Sequence, residues 1–204
     1  INSASLAEGA LVGEPGRVEG IAGGALEFNG GSQSVRLPSP GLTSNTVTIS
    51  AWVKRNGSQA SWAGVAFSRS GAASGFGFGS NSQLRYHWND NHYNFSSGLT
   101  VPNDTWTFCA LVVEQGRATL YMKPTGGTMQ SAVNNTSHVA ASLNGDWYLG
   151  QDPTGGRFFK GQLHDARIYG RALSAAEIAL VDSAENRPPV SASVPLRAAS
   201  EVVG

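Results

Sequence analysis

Short apolar runs alternate with clusters of Gly, Ser, Asn and Pro along most of the chain. Runs rich in Val, Ile, Phe, Tyr and Trp between turn-forming residues read as β-strands, because branched and aromatic side chains suit a pleated, half-buried surface. The pattern predicts strands over 25–28, 34–37, 47–54, 64–68, 75–79, 83–88, 93–96, 106–114, 117–123, 133–139, 147–151 and 161–169. About a dozen strands with frequent turn signals predict an all-β chain. The expected architecture is a two-sheet antiparallel β-sandwich of the jelly-roll type.

One segment departs from this pattern and predicts a short C-terminal helix, Leu173-Ser174-Ala175-Ala176-Glu177-Ile178-Ala179-Leu180-Val181. Ser174 stands at the N-cap with Glu177 three residues later, a capping box in which each side chain satisfies an orphan backbone N–H. Leu173 and Ile178 are spaced for a hydrophobic staple. Beyond Asn186 the composition shifts to Arg187-Pro188-Pro189-Val190, which reads as an extended linker, since Pro fixes φ and removes donors. The expected organisation is one domain over 1–186 and a Pro-containing linker over 187–204. A start at Ile1-Asn2-Ser3 and a linker at the other end suggest a piece of a longer protein with a covalently linked neighbouring domain.

Charge narrows the function classes. Lys+Arg and Asp+Glu both number 14, so the net charge is zero. Without a basic field to neutralise phosphates, nucleic acid is excluded as the main partner, and so is an anionic membrane surface. No apolar run reaches the roughly 20 residues of a membrane span, so no membrane insertion is expected. A neutral polar ligand, such as a polysaccharide or oligosaccharide, suits the balance. Cys109 is the one cysteine, inside the apolar run Phe108-Cys109-Ala110-Leu111-Val112-Val113, and reads as a small core hydrophobe.

Four stretches, in order over about residues 20–183, carry a family resemblance. They are Gly24-Ala25-Leu26-Glu27-Phe28-Asn29-Gly30, then Val47-Thr48-Ile49-Ser50-Ala51-Trp52-Val53-Lys54, then Trp106-Thr107-Phe108-Cys109-Ala110-Leu111-Val112. The last is Phe159-Lys160-Gly161-Gln162-Leu163-His164-Asp165-Ala166-Arg167-Ile168-Tyr169, continuing into the helix. Together they resemble the laminin-G-like, concanavalin A-like jelly-roll domains of the lectin/glucanase superfamily. The resemblance implies two curved antiparallel sheets and an extracellular setting. It also implies a lectin-like module attached to a secreted polysaccharide-active protein, an adhesion module, or, in some relatives, a glycan-cleaving enzyme. Relatives often hold a structural Ca²⁺ between the early strand and the last one. At the positions that carry those carboxylates this chain has Asn29 and His164, with Asp165 next door, so Asn29 and Asp165 are the candidate metal ligands and no cofactor is required.

Catalytic patterns are missing from the sequence. Retaining glycosidases need two carboxyl groups about 5 Å apart, which on this fold come from one strand as E-x-D-x-E or E-x-D-x-x-E. The acidic residues here stand singly, and no His has the Q-I-H flank of similar lyases. A non-catalytic carbohydrate-binding module is therefore expected, with an adhesion module or an unrecognised glycan-cleaving enzyme as alternatives.

Binding chemistry concentrates between Gln83 and Phe95. Sugars are held by flat aromatic faces against their C–H surfaces, with amides and carboxylates bonding the hydroxyls. Trp88 or Tyr93 can supply the face, and Tyr86, Asn89, Asp90 and His92 complete the set. Leu84, Tyr86 and Trp88 also recur at period two, so they read equally as core-facing strand residues. Trp62, in a polar loop, is a further candidate platform, and Asp152 and Arg157 form a second candidate loop. Trp52 and Trp106 fall at structural positions of the family pattern and read as core.

Overall fold

The structure, a computed structural model, describes residues 9–69 and 71–183. The linker expected over 187–204 lies outside the described residues. Fifteen strands and one helix follow in order: β1 (Ala10–Val12), β2 (Gly16–Glu19), β3 (Gly24–Asn29), β4 (Ser34–Leu37), β5 (Leu42–Ser44), β6 (Val47–Arg55), β7 (Gly64–Ser68), β8 (Ser74–Phe78), β9 (Leu84–His87), β10 (Thr107–Glu114), β11 (Arg117–Pro124), β12 (Gln130–Asn134), β13 (Ala141–Leu143), β14 (Trp147–Leu149), β15 (Lys160–Tyr169) and α1 (Ala175–Asp182). They form a jelly-roll β-sandwich. A six-stranded antiparallel sheet runs β1-β4-β14-β7-β8-β9 and a seven-stranded one β12-β11-β10-β6-β15-β3-β2; β13 and β5 form a small ribbon.

Alternation explains the layers. On β6, Val47, Ile49, Ala51 and Val53 join the main core with Cys109, Leu111 and Val113 of β10 and Phe76, Phe78, Leu84, Tyr86 and Trp147 of the six-stranded sheet. The other face of β6 and β10 is also buried. There Trp52, Phe108, Ala110 and Val112 pack with Leu173 and Ile178 from the segment carrying α1. Two covered faces account for the near-continuous apolar run on β10. Trp52 is core, as expected, and burial raises the Cys109 thiol far above its ordinary pKa.

Helix α1 has the expected capping box. Ser174 Oγ accepts from the Glu177 N–H at 3.3 Å, and Glu177 Oε2 accepts from the Ser174 N–H at 2.9 Å.

Two expected strands differ. Segment 93–96 is a loop: its carbonyls at Asn94 and Phe95 accept from the Arg85 guanidinium at 3.1 and 2.7 Å instead of from a neighbouring strand. Segment 133–139 keeps strand pairing only to Asn134, after which the His138 N–H turns to the Gln115 carbonyl.

One row of cross-strand neighbours positions the site. Across the six-stranded sheet Arg36 pairs with Tyr148, Tyr148 with Phe67, Phe67 with Gly75, and Gly75 with His87. Directly paired residues share a face. Phe76 and Tyr86, also paired, lie on the core face, so this row lies on the outer one. Gly75 sits at φ 146°, and a Cβ there would come within 2.1 Å of the Ala66 carbonyl oxygen. Only glycine fits this close approach of β8 to β7.

Candidate functional site

Strand β9 divides the aromatic stretch into two faces. Leu84, Tyr86 and Trp88 enter the core, while Arg85 and His87 face outward beside Gly77 and Gly75. Trp88 is 0% exposed and its indole N–H donates to the Val139 carbonyl at 2.7 Å. Tyr86 is 1% exposed, and its hydroxyl meets His138 Nε2 at 2.9 Å and accepts from Asn134 at 2.7 Å. Neither offers a face to a ligand. The period-two spacing, which puts both on the core side, governs over the density of rings.

The turn after Trp88 is a two-residue reversal. Trp88 and Asn91 exchange both backbone hydrogen bonds at 3.0 Å, and Asn89 and Asp90 sit at φ 51° and 56°. Two successive left-handed residues are the signature of a type I′ turn, which Asn and Asp tolerate better than other side chains. The Asn89 amide is engaged internally, donating to the Ala140 carbonyl at 3.0 Å. Asp90 accepts from the Ala73 N–H at 2.8 Å through Oδ1 yet keeps its side chain 60% exposed. His92 turns to another cluster, stacking on His138 at 4.1 Å between ring centroids and meeting Thr136 Oγ1 at 3.3 Å. It is therefore not a partner of Tyr93.

Tyr93 and Trp62, from loops distant in sequence, come together. Their ring centroids lie 6.2 Å apart, edge to face, and both contact His87, at 5.6 Å from Tyr93 and 5.2 Å from Trp62. Phe67 closes the group at 5.4 Å from His87. Tyr93 is 40% exposed and Trp62 is half-buried.

Charged groups border these rings. Asp152 is wholly buried. Its Oδ1 accepts from Arg69 Nε at 2.5 Å, and its Oδ2 accepts from Arg69 at 2.9 Å and Arg157 at 2.7 Å. Asp152 is thus no ligand-facing group; it anchors two guanidiniums, each partly exposed. Arg69 also lies 3.9 Å from Asp90. Burial pushes the His87 imidazole down to about 4 against the opposing pull of Asp152, so the ring is neutral at ordinary pH. Arg69 and His87 were missed in sequence, and so was the shared position of Trp62 and Tyr93. Period two over 84–88 places His87 opposite the core, but nothing local shows that loop 59–63, Arg69 and loop 151–158 converge on it.

The two candidate metal ligands do not form one site. Asn29 pairs with Lys160 at one end of β3, and Leu26 pairs with Leu163. Asp165 lies at the level of the other end, and at about 3.3 Å per residue its separation from Lys160 is roughly 16 Å. Asn29 Oδ1 already accepts from the Gly31 and Ser32 N–H groups, and Asp165, at a bulge with φ 51°, is paired with Arg167 at 2.7 Å. The residues do not fit a shared Ca²⁺. Among the described residues no group of three or more His, Cys, Asp or Glu is placed to hold a metal.

Solved structures share this fold. Domain 4 of an extracellular arabinanase from Geobacillus stearothermophilus, solved in complex with arabinotriose, is 23% identical with a TM-score of 0.66, over 84% of this chain and 82% of that one. The binding domain of Paraclostridial Mosquitocidal Protein 1 is 14% identical with a TM-score of 0.63, over 86% of this chain and 47% of that one. A heptameric pentraxin from Limulus polyphemus is 16% identical with a TM-score of 0.56, over 78% and 81%. No curated protein matches the chain. A family model matches residues 29–179, joining the strands that carry the outer-face row, and the chain belongs to the concanavalin A-like lectin/glucanases superfamily.

Proposed function

We propose that this domain is a non-catalytic, lectin-like carbohydrate-binding module of a larger secreted polysaccharide-active protein. The observation that carries the reading is the pairing of Tyr93 and Trp62 beside Asp90, Arg69 and Arg157. Ring faces suit the C–H surface of a sugar, and planar guanidiniums and a carboxylate suit its hydroxyls. The arabinanase domain of the same fold, solved with an oligosaccharide, supports the reading. So does the state of the acidic groups. Both Asp152 oxygens are occupied by guanidinium donors, which leaves Asp90 as the carboxylate open beside the rings. Glycosidic hydrolysis needs a pair.

Affinity electrophoresis against arabinan, galactan, xylan, mannan, β-glucan and starch tests this. At least one polysaccharide should retard the domain. Tyr93→Ala should keep the melting temperature and lose at least about thirtyfold in affinity, the ordinary cost of removing an aromatic anchor. Trp88→Ala should instead lose about 3–5 kcal/mol of stability, as a buried Trp does. Retardation by none of the six sinks the reading, and sustained release of reducing ends tracking the purified protein sinks its non-catalytic part.

A further inference from the structure

Beneath Trp62 lies a narrow cavity lined by Trp62, Phe67, Gly77, Phe78, Arg85 and His87, which as the residues stand is too tight to admit a water molecule. Two polar atoms on this face of β9, His87 Nε2 and Arg85 Nε, are buried without a hydrogen-bond partner. His87 is only 8% exposed. A buried polar group left unsatisfied is costly, and two beside one cavity call for a reason. Arg85 Nη1 is engaged, holding the Asn94 and Phe95 carbonyls beside Tyr93. Trp62, the cover, sits at φ 66°, a left-handed conformation that is an outlier for a bulky residue. Strain of this kind persists where the surrounding structure imposes it, and it lowers the cost of moving the residue.

Resting on the carbohydrate-binding reading above, we propose that this cavity is a subsite that takes one hydroxyl or hydroxymethyl group of a neutral sugar. Trp62 moves aside to admit it, and His87 Nε2 and Arg85 Nε bond it. A neutral imidazole can donate or accept, whereas Arg85 Nε only donates, so the pair suits a hydroxyl, which does both. A carboxylate is a poorer occupant, because Asp152 and Asp90 already face this region and compensate Arg69 and Arg157. The subsite thus reads one substituent of a sugar that Tyr93 holds by its ring.

Three proteins separate the outcomes on the same six neutral polysaccharides: the parent domain, His87→Phe, which keeps a ring beside the cavity but removes its polar atoms, and His87→Gln, which returns an amide near Nε2. Melting temperatures establish that each is folded. Expected is a loss of at least fivefold in affinity for His87→Phe, with His87→Gln within about threefold of the parent. The parent's His87 Nε2 ¹⁵N resonance should also move on saturation with the retained polysaccharide, a readout needing no variant. Binding of a polysaccharide with that resonance unmoved, or with His87→Phe equal to the parent, overturns the subsite and leaves the module reading standing. Binding of none of the six overturns both.

Discussion

His87 shows best how a single residue's environment sets its chemistry. Rings on three sides remove it from water, and burial holds its pKa near 4, below the ordinary imidazole value of about 6.5. Asp152 and Asp90 pull that value up, while Arg69 and Arg157 push it down. Between pH 6.5 and 4 the unfolded chain takes the proton and the folded one does not. Stability from this group is therefore full above pH 6.5, falls as the pH drops through that window, and levels off below it. The loss is on the order of 3 kcal/mol at most. His92 and His138, lowered by burial, act in the same direction, so the comparison must be made against a variant. The melting temperature of His87→Phe should decline less steeply than the parent's between pH 6.5 and 4, and parallel declines would show that His87 is not held neutral. Residues of this kind were only partly legible. Trp62 was recognisable as a ring in a polar loop and Tyr93 as a ring beside a turn, though in an expected strand, whereas the engagement of Asn89 with Ala140 and of Asp152 with Arg69 depends on segments far apart in sequence.

Elements were legible where packing and alternation agree. Strands β6 and β10 have long apolar stretches, and α1 carries its own start signal, so each was visible in sequence. Strands β1 and β2 escaped because they lie at sheet edges and bury almost nothing, which leaves no pattern to read. Segment 93–96 has the ring content of a strand, but the Arg85 side chain claims its carbonyls. Strand β8 has a subtler code, with Phe76 and Phe78 in the core and glycines between them on the outer face. Those glycines bring β7 and β9 close enough for Phe67 and His87 to touch. Gly75→Ala should cost about 3 kcal/mol or more, since its Cβ would meet backbone at Ala66 and Phe67 and the φ is unfavourable. Gly98→Ala, with a positive φ and open space, should cost only about 1–2 kcal/mol. Denaturant midpoints of the two variants check this, and equal losses would mean that β7 and β8 do not approach as closely as described.

At the scale of the molecule, the question is what holds the sandwich together without a disulfide among the described residues. The main core spans both sheets, and a second one seals α1 against the outer face of the seven-stranded sheet. Lys123 and Asp182 add an ion pair between β11 and α1, with Asp182 almost wholly buried. None of these contacts requires a metal. The family pattern pointed to an ion between β3 and β15, and in sequence Asn29 and Asp165 looked like its nearest donors. The antiparallel register separates them by the length of β3, a relation that a one-dimensional pattern does not reveal. Asn29 is closed into a turn with Gly31, Ser32 and Gln33, and the Asp165 charge is answered by Arg167. A native-state ligand adds RT ln(1 + [L]/Kd), about 2.7 kcal/mol at one hundred times Kd, which in a domain of this size raises the melting temperature by several degrees. Adding millimolar calcium to the chelator-treated domain should therefore shift melting by no more than about one degree. The double variant Asn29→Ala, Asp165→Ala should respond to calcium as the parent does, whatever its own stability. A rise of several degrees in the parent that is lost in the double variant would show that the two residues hold an ion in spite of the strand between them.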